Sequence, residues 1–188
     1  MKKSTKQKPF VLPGDLSKQD LIERMIRVNH AGEYGAKRIY QGQLDVLKNT
    51  EAAELIEHMA EQEEVHLSAF EDLMTERRVR PSVLFPLWHA AGYALGAVTA
   101  LMGEKAAMAC TVAVESVIAE HYQNQLDQLD HFDDEKELQG MIQKFREEEM
   151  EHHDIGIEHH AEEATAYPLL SSAIKTGSRI AIWLAERV

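Results

Sequence analysis

The chain has 188 residues, 44% of them apolar and 28% charged, and a formal net charge of −12 with histidine neutral. One domain of this size buries a substantial core but leaves no room for a separate cofactor-binding domain, and the composition excludes both a disordered chain and a multi-span membrane protein. The acidic balance argues against a sequence-independent grip on nucleic-acid phosphates and points to cations as guests.

The opening MKKSTKQKPF has lysines but no apolar h-region and no Arg-rich amphipathic pattern, so no secretory signal or transit peptide is read. Residues 1–16 are expected to form a flexible N-terminal segment, and 17–188 a single domain. Such a start suits a bacterial cytoplasm. The lone cysteine, Cys110, excludes an intramolecular disulfide and a thiolate zinc site and fits a reducing compartment.

The five prolines, Pro9, Pro13, Pro81, Pro86 and Pro168, leave 14–80 and 87–167 free of the strongest helix breaker. Ser17 with Asp20 resembles a capping box and predicts a helix to about Lys48; a second helix follows over 51–78. Residues 79–103 form a long apolar crossover, uncharged from Pro81 to Gly103 and containing Gly92-x-x-x-Gly96. Helices over 104–130 and 135–163 flank the acidic turn at 130–134. The tail 168–188 reads as an amphipathic helix. At 1.5 Å per residue the four long helices would each be about 40–45 Å, which makes a bundle.

Core positions recurring in steps of three and four confirm the helical period. They run Ile26, Glu33, Tyr40, Leu47 in the first helix and Ile56, Met59, Glu63, His66, Phe70, Leu73 in the second. The third carries Met108, Val112, Glu115, Ala119, Tyr122, Leu126, Leu129, and the fourth Leu138, Ile142, Phe145, Glu149, His152. A carboxylate interrupts every stripe. Ionised carboxylates inside a bundle need compensating charge, and few lysines or arginines share the stripes. Carboxylate and imidazole without thiolate suit iron or manganese, and four Glu with two His suit two ions better than one. One Glu from each of two helices plus Glu-x-x-His from the other two is the ferritin-like dinuclear pattern, with Glu33, Glu63, His66, Glu115, Glu149 and His152 as metal ligands. The expected fold is all-α, a ferritin-like four-helix bundle with an apolar crossover between helices 2 and 3 and an additional C-terminal helix. The bland alternative, solvated Glu/His faces, would let these residues drift off the stripe.

Residues 27–36 (RVNHAGEYGA), 80–88 (RPSVLFPLW), 109–115 (ACTVAVE) and 148–156 (EEMEHHDIG) closely resemble the demethoxyubiquinone hydroxylase family of ubiquinone biosynthesis, and the likeness runs from about residue 20 to the C-terminus. The resemblance implies a di-iron monooxygenase that hydroxylates the ring of 2-polyprenyl-3-methyl-6-methoxy-1,4-benzoquinol. It implies two Fe ions per chain, O2 as co-substrate and NADH as reductant, and it carries the iron ligands onto the same six residues. In ferritin-like sites the Glu of each Glu-x-x-His bridges and the lone Glu is terminal. The implied setting is peripheral, on the cytoplasmic face of the bacterial inner membrane, with a partner protein of ubiquinone biosynthesis and no nucleic acid.

Other residues carry weaker signals. Tyr122, one heptad after Glu115, is a candidate proton or electron relay, with a core tyrosine the alternative. His121 and His153 sit one position off the stripe and are not read as ligands; His153 with Asp154 is read as a candidate outer pair behind the ligands. Gly32 and Gly35 keep the face beside Glu33 small, either for substrate or for helix packing. No G-x-G-x-x-G follows a strand, so cofactor-binding residues stay unassigned, with Arg24, Arg27 and Arg179 available to phosphates. A single membrane span at 81–103 would strand the half-sites on opposite sides of the bilayer, so this segment reads as shallow attachment beside Arg77, Arg78 and Arg80, or as a crossover buried on the bundle. The rival functions are an iron-storage or iron-oxidising bundle with no organic substrate, a tRNA-base hydroxylase, and a structural bundle.

Overall fold

The computed structural model describes residues 14–187, and every regular element among them is helical. α1 spans Lys18–Leu47, α2 Ala52–Arg77, α3 Phe85–Leu101, α4 Glu104–Leu129, α5 Lys136–Glu158 and α6 Tyr167–Ala185, with a 3-10 turn at Ala161–Glu163. The expected flexible segment 1–16 falls mainly outside the described residues. Ser17 Oγ accepts the Asp20 backbone N–H at 3.1 Å, which starts α1 as the spacing predicts. α2 stops where Arg78 turns left-handed and returns its N–H to Met74. Pro86 and Pro168 sit in the first turns of α3 and α6, where a missing N–H breaks no intrahelical bond.

The fourth long helix is shorter than the reading to 163. α5 ends at Glu158 because His160 takes the left-handed conformation, at φ 65°, and the chain tightens into the 3-10 turn.

α1 packs on α2 and α4 on α5, giving two helical hairpins; α3 lies along α1 and α6 along α4. The halves are therefore built alike, each a hairpin with a third helix on its first member. Two apolar clusters close the interior. One holds Leu47, Ile56, Met59, Met108 and Val112, and the other Ile26, Phe70, Leu126, Leu129, Ile142 and Phe145. Every stripe position read from the sequence is buried except Leu73, which packs half-buried on the second cluster.

The apolar crossover is a helix seated on the bundle. A Cβ at Gly96 would lie 1.9 Å from the Ile39 carbonyl oxygen, and one at Gly42 would lie 2.3 Å from that of Tyr93, so α1 and α3 touch backbone to backbone. Burial is one-sided: Leu87, Val98, Leu101 and Met102 on and just after α3 stay exposed. Among the described residues no helix is long and apolar enough to cross a membrane, in line with the topological objection to a span. Gly96→Ala must part the two helices, and it is expected to lower stability by about 1–3 kcal/mol, read as a lower urea midpoint at unchanged m.

Candidate metal centre

Glu33 on α1, Glu63 and His66 on α2, Glu115 on α4, and Glu149 and His152 on α5 meet between the two apolar clusters, each no more than 1% exposed. Their ligand atoms form two groups, Glu33, Glu63, His66, Glu149 and Glu63, Glu115, Glu149, His152, each with one atom per residue and all within 4.8 Å of one another. Glu63 and Glu149 belong to both. The three-residue step inside each Glu-x-x-His puts both side chains on one helical face, which is why one helix serves both groups.

The hydrogen bonds around the centre leave its inner atoms free. Both oxygens of Glu63 and of Glu149, Oε2 of Glu33 and of Glu115, and Nδ1 of His66 and of His152 have no hydrogen-bond partner despite full burial. Orphaned acceptors at this density would each cost about 1–3 kcal/mol in a closed core. They point inward at one place, and a cation there would satisfy them together. The donor set, oxygen and imidazole nitrogen without sulfur, suits iron or manganese. Cys110 stays outside the ligand groups, and burial pushes its thiol up to about 12.

Outward, four of the six are anchored. His66 Nε2 pairs with Glu148 Oε2 at 2.9 Å, and His152 Nε2 with Gln62 Oε1 at 2.9 Å, which turns both Nδ1 atoms to the interior. The His66 ring packs on Phe145, centroids 4.0 Å apart. Tyr40 donates its hydroxyl to Glu115 Oε1 at 2.8 Å, and Tyr122 donates to Glu33 Oε1. Burial, reinforced by the surrounding carboxylates, holds both phenols well above their usual range, so both remain donors.

Electrostatics without metal are costly. Burial first, and neighbouring carboxylates second, push Glu63 and Glu115 well above the carboxylate range. Burial alone would lower His66, but the carboxylates of Glu149 and Glu33, 3.2 and 3.5 Å from its Nδ1, outweigh it and raise the ring to about 11. Burial would raise Glu149, yet the two imidazoles hold it down to about 2. The signs give a pH profile for metal-free protein. Glu149 adds stability as pH rises through the acid range to the ordinary glutamate pKa. Above that, Glu63 and Glu115 must keep protons the unfolded chain has released, and above the ordinary histidine pKa so must His66, so stability falls. The metal-free thermal midpoint is therefore expected to fall from about pH 5 to pH 8, and added divalent metal is expected to flatten that fall. Differential scanning fluorimetry across pH, with and without metal, reads both.

The structure brings the six candidate ligands together and sets Tyr122 against Glu33. It does not place His153 behind them: His153 bonds Asp154 at 2.9 Å, partly exposed on the outer side of α5. The outer partners are Glu148 and Gln62, each half-buried, one residue before a shared Glu and within acidic runs that look solvated in sequence. Tyr40 was read only as core. It is the counterpart of Tyr122, one heptad after Glu33, and the same rule applied to the first helix would have found it. Among the candidate phosphate contacts, Arg179 pairs with Glu120 at 2.9 Å and Arg27 donates to the Arg80 carbonyl at 3.0 Å. His121 lies 2.8 Å from Gln125 Nε2, outside both ligand groups.

Beside the centre runs an apolar groove of about 410 Å³ between α1, α3, α4 and α6. Gly32, Ala36, Val114 and Ile118, close neighbours in sequence of Glu33 and Glu115, line it with Trp88 and Ile182. A Cβ at Gly32 or Gly35 would meet nothing within 4 Å, so both leave open space, while the Gly35 carbonyl also faces Gly92 of α3.

Residues 20–185 match the family described as ubiquinone biosynthesis protein COQ7. The chain belongs to that family. It is 56% identical over 178 residues to the 3-demethoxyubiquinol 3-hydroxylase of Rhodospirillum rubrum, covering 94% of this chain and 83% of the relative. It is 56% identical over 169 residues to the human mitochondrial NADPH-dependent 3-demethoxyubiquinone 3-hydroxylase, covering 89% and 78%. The Saccharomyces cerevisiae mitochondrial 5-demethoxyubiquinone hydroxylase is 44% identical over 182 residues, again 89% and 78%. Buried Glu/His groups able to bind metal are thus found in a COQ7-family chain whose relatives are named for a hydroxylation.

Proposed function

We propose that this chain is a 3-demethoxyubiquinol 3-hydroxylase of ubiquinone biosynthesis that holds two iron ions, uses O2, and draws electrons from a reduced nicotinamide. The observation that carries this is the pair of buried ligand groups sharing Glu63 and Glu149 beside an apolar groove. Glu63 and Glu149, common to both groups, would help hold both ions, with Glu33 and His66 completing one site and Glu115 and His152 the other. An iron pair held there would supply O2 activation; with two electrons from the reduced nicotinamide and two protons, the ring C–H becomes C–OH and the second oxygen leaves as water.

The rest is done by the protein's own residues. Tyr40 and Tyr122 each fix one oxygen of a terminal carboxylate and leave the other toward the interior. Glu148 and Gln62 fix the imidazoles. The two apolar clusters keep water out along the bundle axis, while Gly32 and Gly35 let a flat apolar ring approach Glu33 from the groove. The donor is NADH in the sequence reading and NADPH in the relatives' names, and no nucleotide fold is needed if hydride passes to the quinone itself.

A polyprenyl tail belongs in a bilayer, and the groove lies between α3 and α6, the helices carrying exposed Leu87, Val98, Leu169, Ile180 and Trp183. We place this face on the cytoplasmic side of the bacterial inner membrane as a peripheral contact. Val98→Glu with Trp183→Glu is expected to cut co-sedimentation with anionic vesicles severalfold; unchanged binding would remove this face from the account.

The activity test is anaerobic loading with ferrous iron and the methoxy-quinol, admission of heavy-isotope O2, and mass analysis of the ring. One labelled oxygen in the product is expected. An unchanged ring, with iron passing into a mineral core, would make the protein an iron-storage bundle instead.

A further inference from the structure

The two halves of the centre correspond position by position: Glu33 with Glu115, Tyr40 with Tyr122, Glu63 with Glu149, His66 with His152. Their interactions correspond too. Each tyrosine donates to the terminal carboxylate of the other half, and each histidine turns Nε2 to the residue preceding the opposite shared Glu. At that last point the chemistry differs. His66 meets the carboxylate of Glu148, whereas His152 meets the carboxamide of Gln62, both at 2.9 Å.

At equal distances the two acceptors differ in charge. A carboxylate accepting an imidazole N–H shifts electron density to the opposite nitrogen and makes it a stronger donor to metal, whereas a neutral amide oxygen does so far less. The other Glu148 oxygen lies 3.5 Å from Lys144 Nζ, and its side chain is 24% exposed. We propose that Glu148 and Gln62 are positioning residues that make the two metal positions unequal, so that the ion at Glu33, Glu63, His66 and Glu149 binds first and more tightly than the ion at Glu115 and His152.

This rests on the two-metal reading above and adds a loading order to it. The second position, backed by the weaker acceptor, completes the pair last and releases its ion first. Glu33 and Glu115 are of the same chemical type, each a carboxylate held by one tyrosine.

The test is an anaerobic titration of the metal-free full chain with Mn(II), followed by calorimetry and electron paramagnetic resonance, which separates an isolated ion from a coupled pair. Wild type is expected to bind in two phases at least about tenfold apart, an isolated-ion signal preceding the coupled one. Glu148→Gln is expected to bring the phases within about threefold, and Gln62→Glu to tighten the second phase about tenfold, a gain that mere disruption would not produce. Glu33→Gln should remove the tight phase and Glu115→Gln the weak one. Two ions bound with equal affinity in wild type, or a ratio unmoved by Glu148→Gln, would overturn the inference and leave the two-metal reading standing. No Mn(II) bound at all would overturn both.

Discussion

Glu63→Gln is expected to reduce bound iron from about two per chain to near zero and hydroxylation to background, while raising the stability of the metal-free protein by about 1–4 kcal/mol. The opposite signs have one origin. Glu63 lies in both ligand groups, so its loss removes a charged donor from both ions at once. In metal-free protein the same carboxyl is pushed far above its usual range by burial and by Glu149, which measures how poorly its charge is tolerated there. An isosteric amide keeps the volume and removes that charge. Glu115→Gln, confined to one group, is expected to retain about one ion. Elemental analysis after desalting, with chemical denaturation of stripped protein, reads both quantities; a purely structural role predicts that stability falls with activity.

Gly32→Leu is expected to cut kcat/KM for the quinol by about two orders of magnitude, with iron content unchanged and helix stability raised by about 0.5–1 kcal/mol. The side chain would enter the open space at the groove wall, where a Cβ meets nothing, and occupy the volume assigned to the ring. Leucine is the better helix former, so loss of activity cannot be ascribed to a weakened α1. Steady-state kinetics beside thermal unfolding and iron analysis make the check, and a variant that hydroxylates normally would remove the groove from the substrate path.

How much of this could be read from the residues differs from part to part. The four long helices, the buried stripes and the six inner ligands were legible because one periodicity encodes them all, and because a carboxylate on an apolar stripe is too costly to be incidental. The outer anchors were not. Glu148 and Gln62 sit beside acidic residues that are exposed, and only the facing of α2 and α5 shows which member of each run turns inward. His153 misled for the matching reason, since a histidine beside a ligand in sequence points away from it on a helix. Topology ruled out a span at Gly92 and Gly96, but whether the segment attaches shallowly or packs on the bundle rested on α1, which sets the Gly35 carbonyl against Gly92 and the Ile39 carbonyl against Gly96. The groove was invisible because four separate helices line it.

The account's central claim is that acidic groups sealed within the bundle are there to be neutralised by a metal pair. Iron analysis of chain reconstituted with ferrous iron under anaerobic conditions and freed of loose metal tests it most directly. About two atoms per polypeptide is the predicted result; well below one, on protein that remains helical, would contradict it.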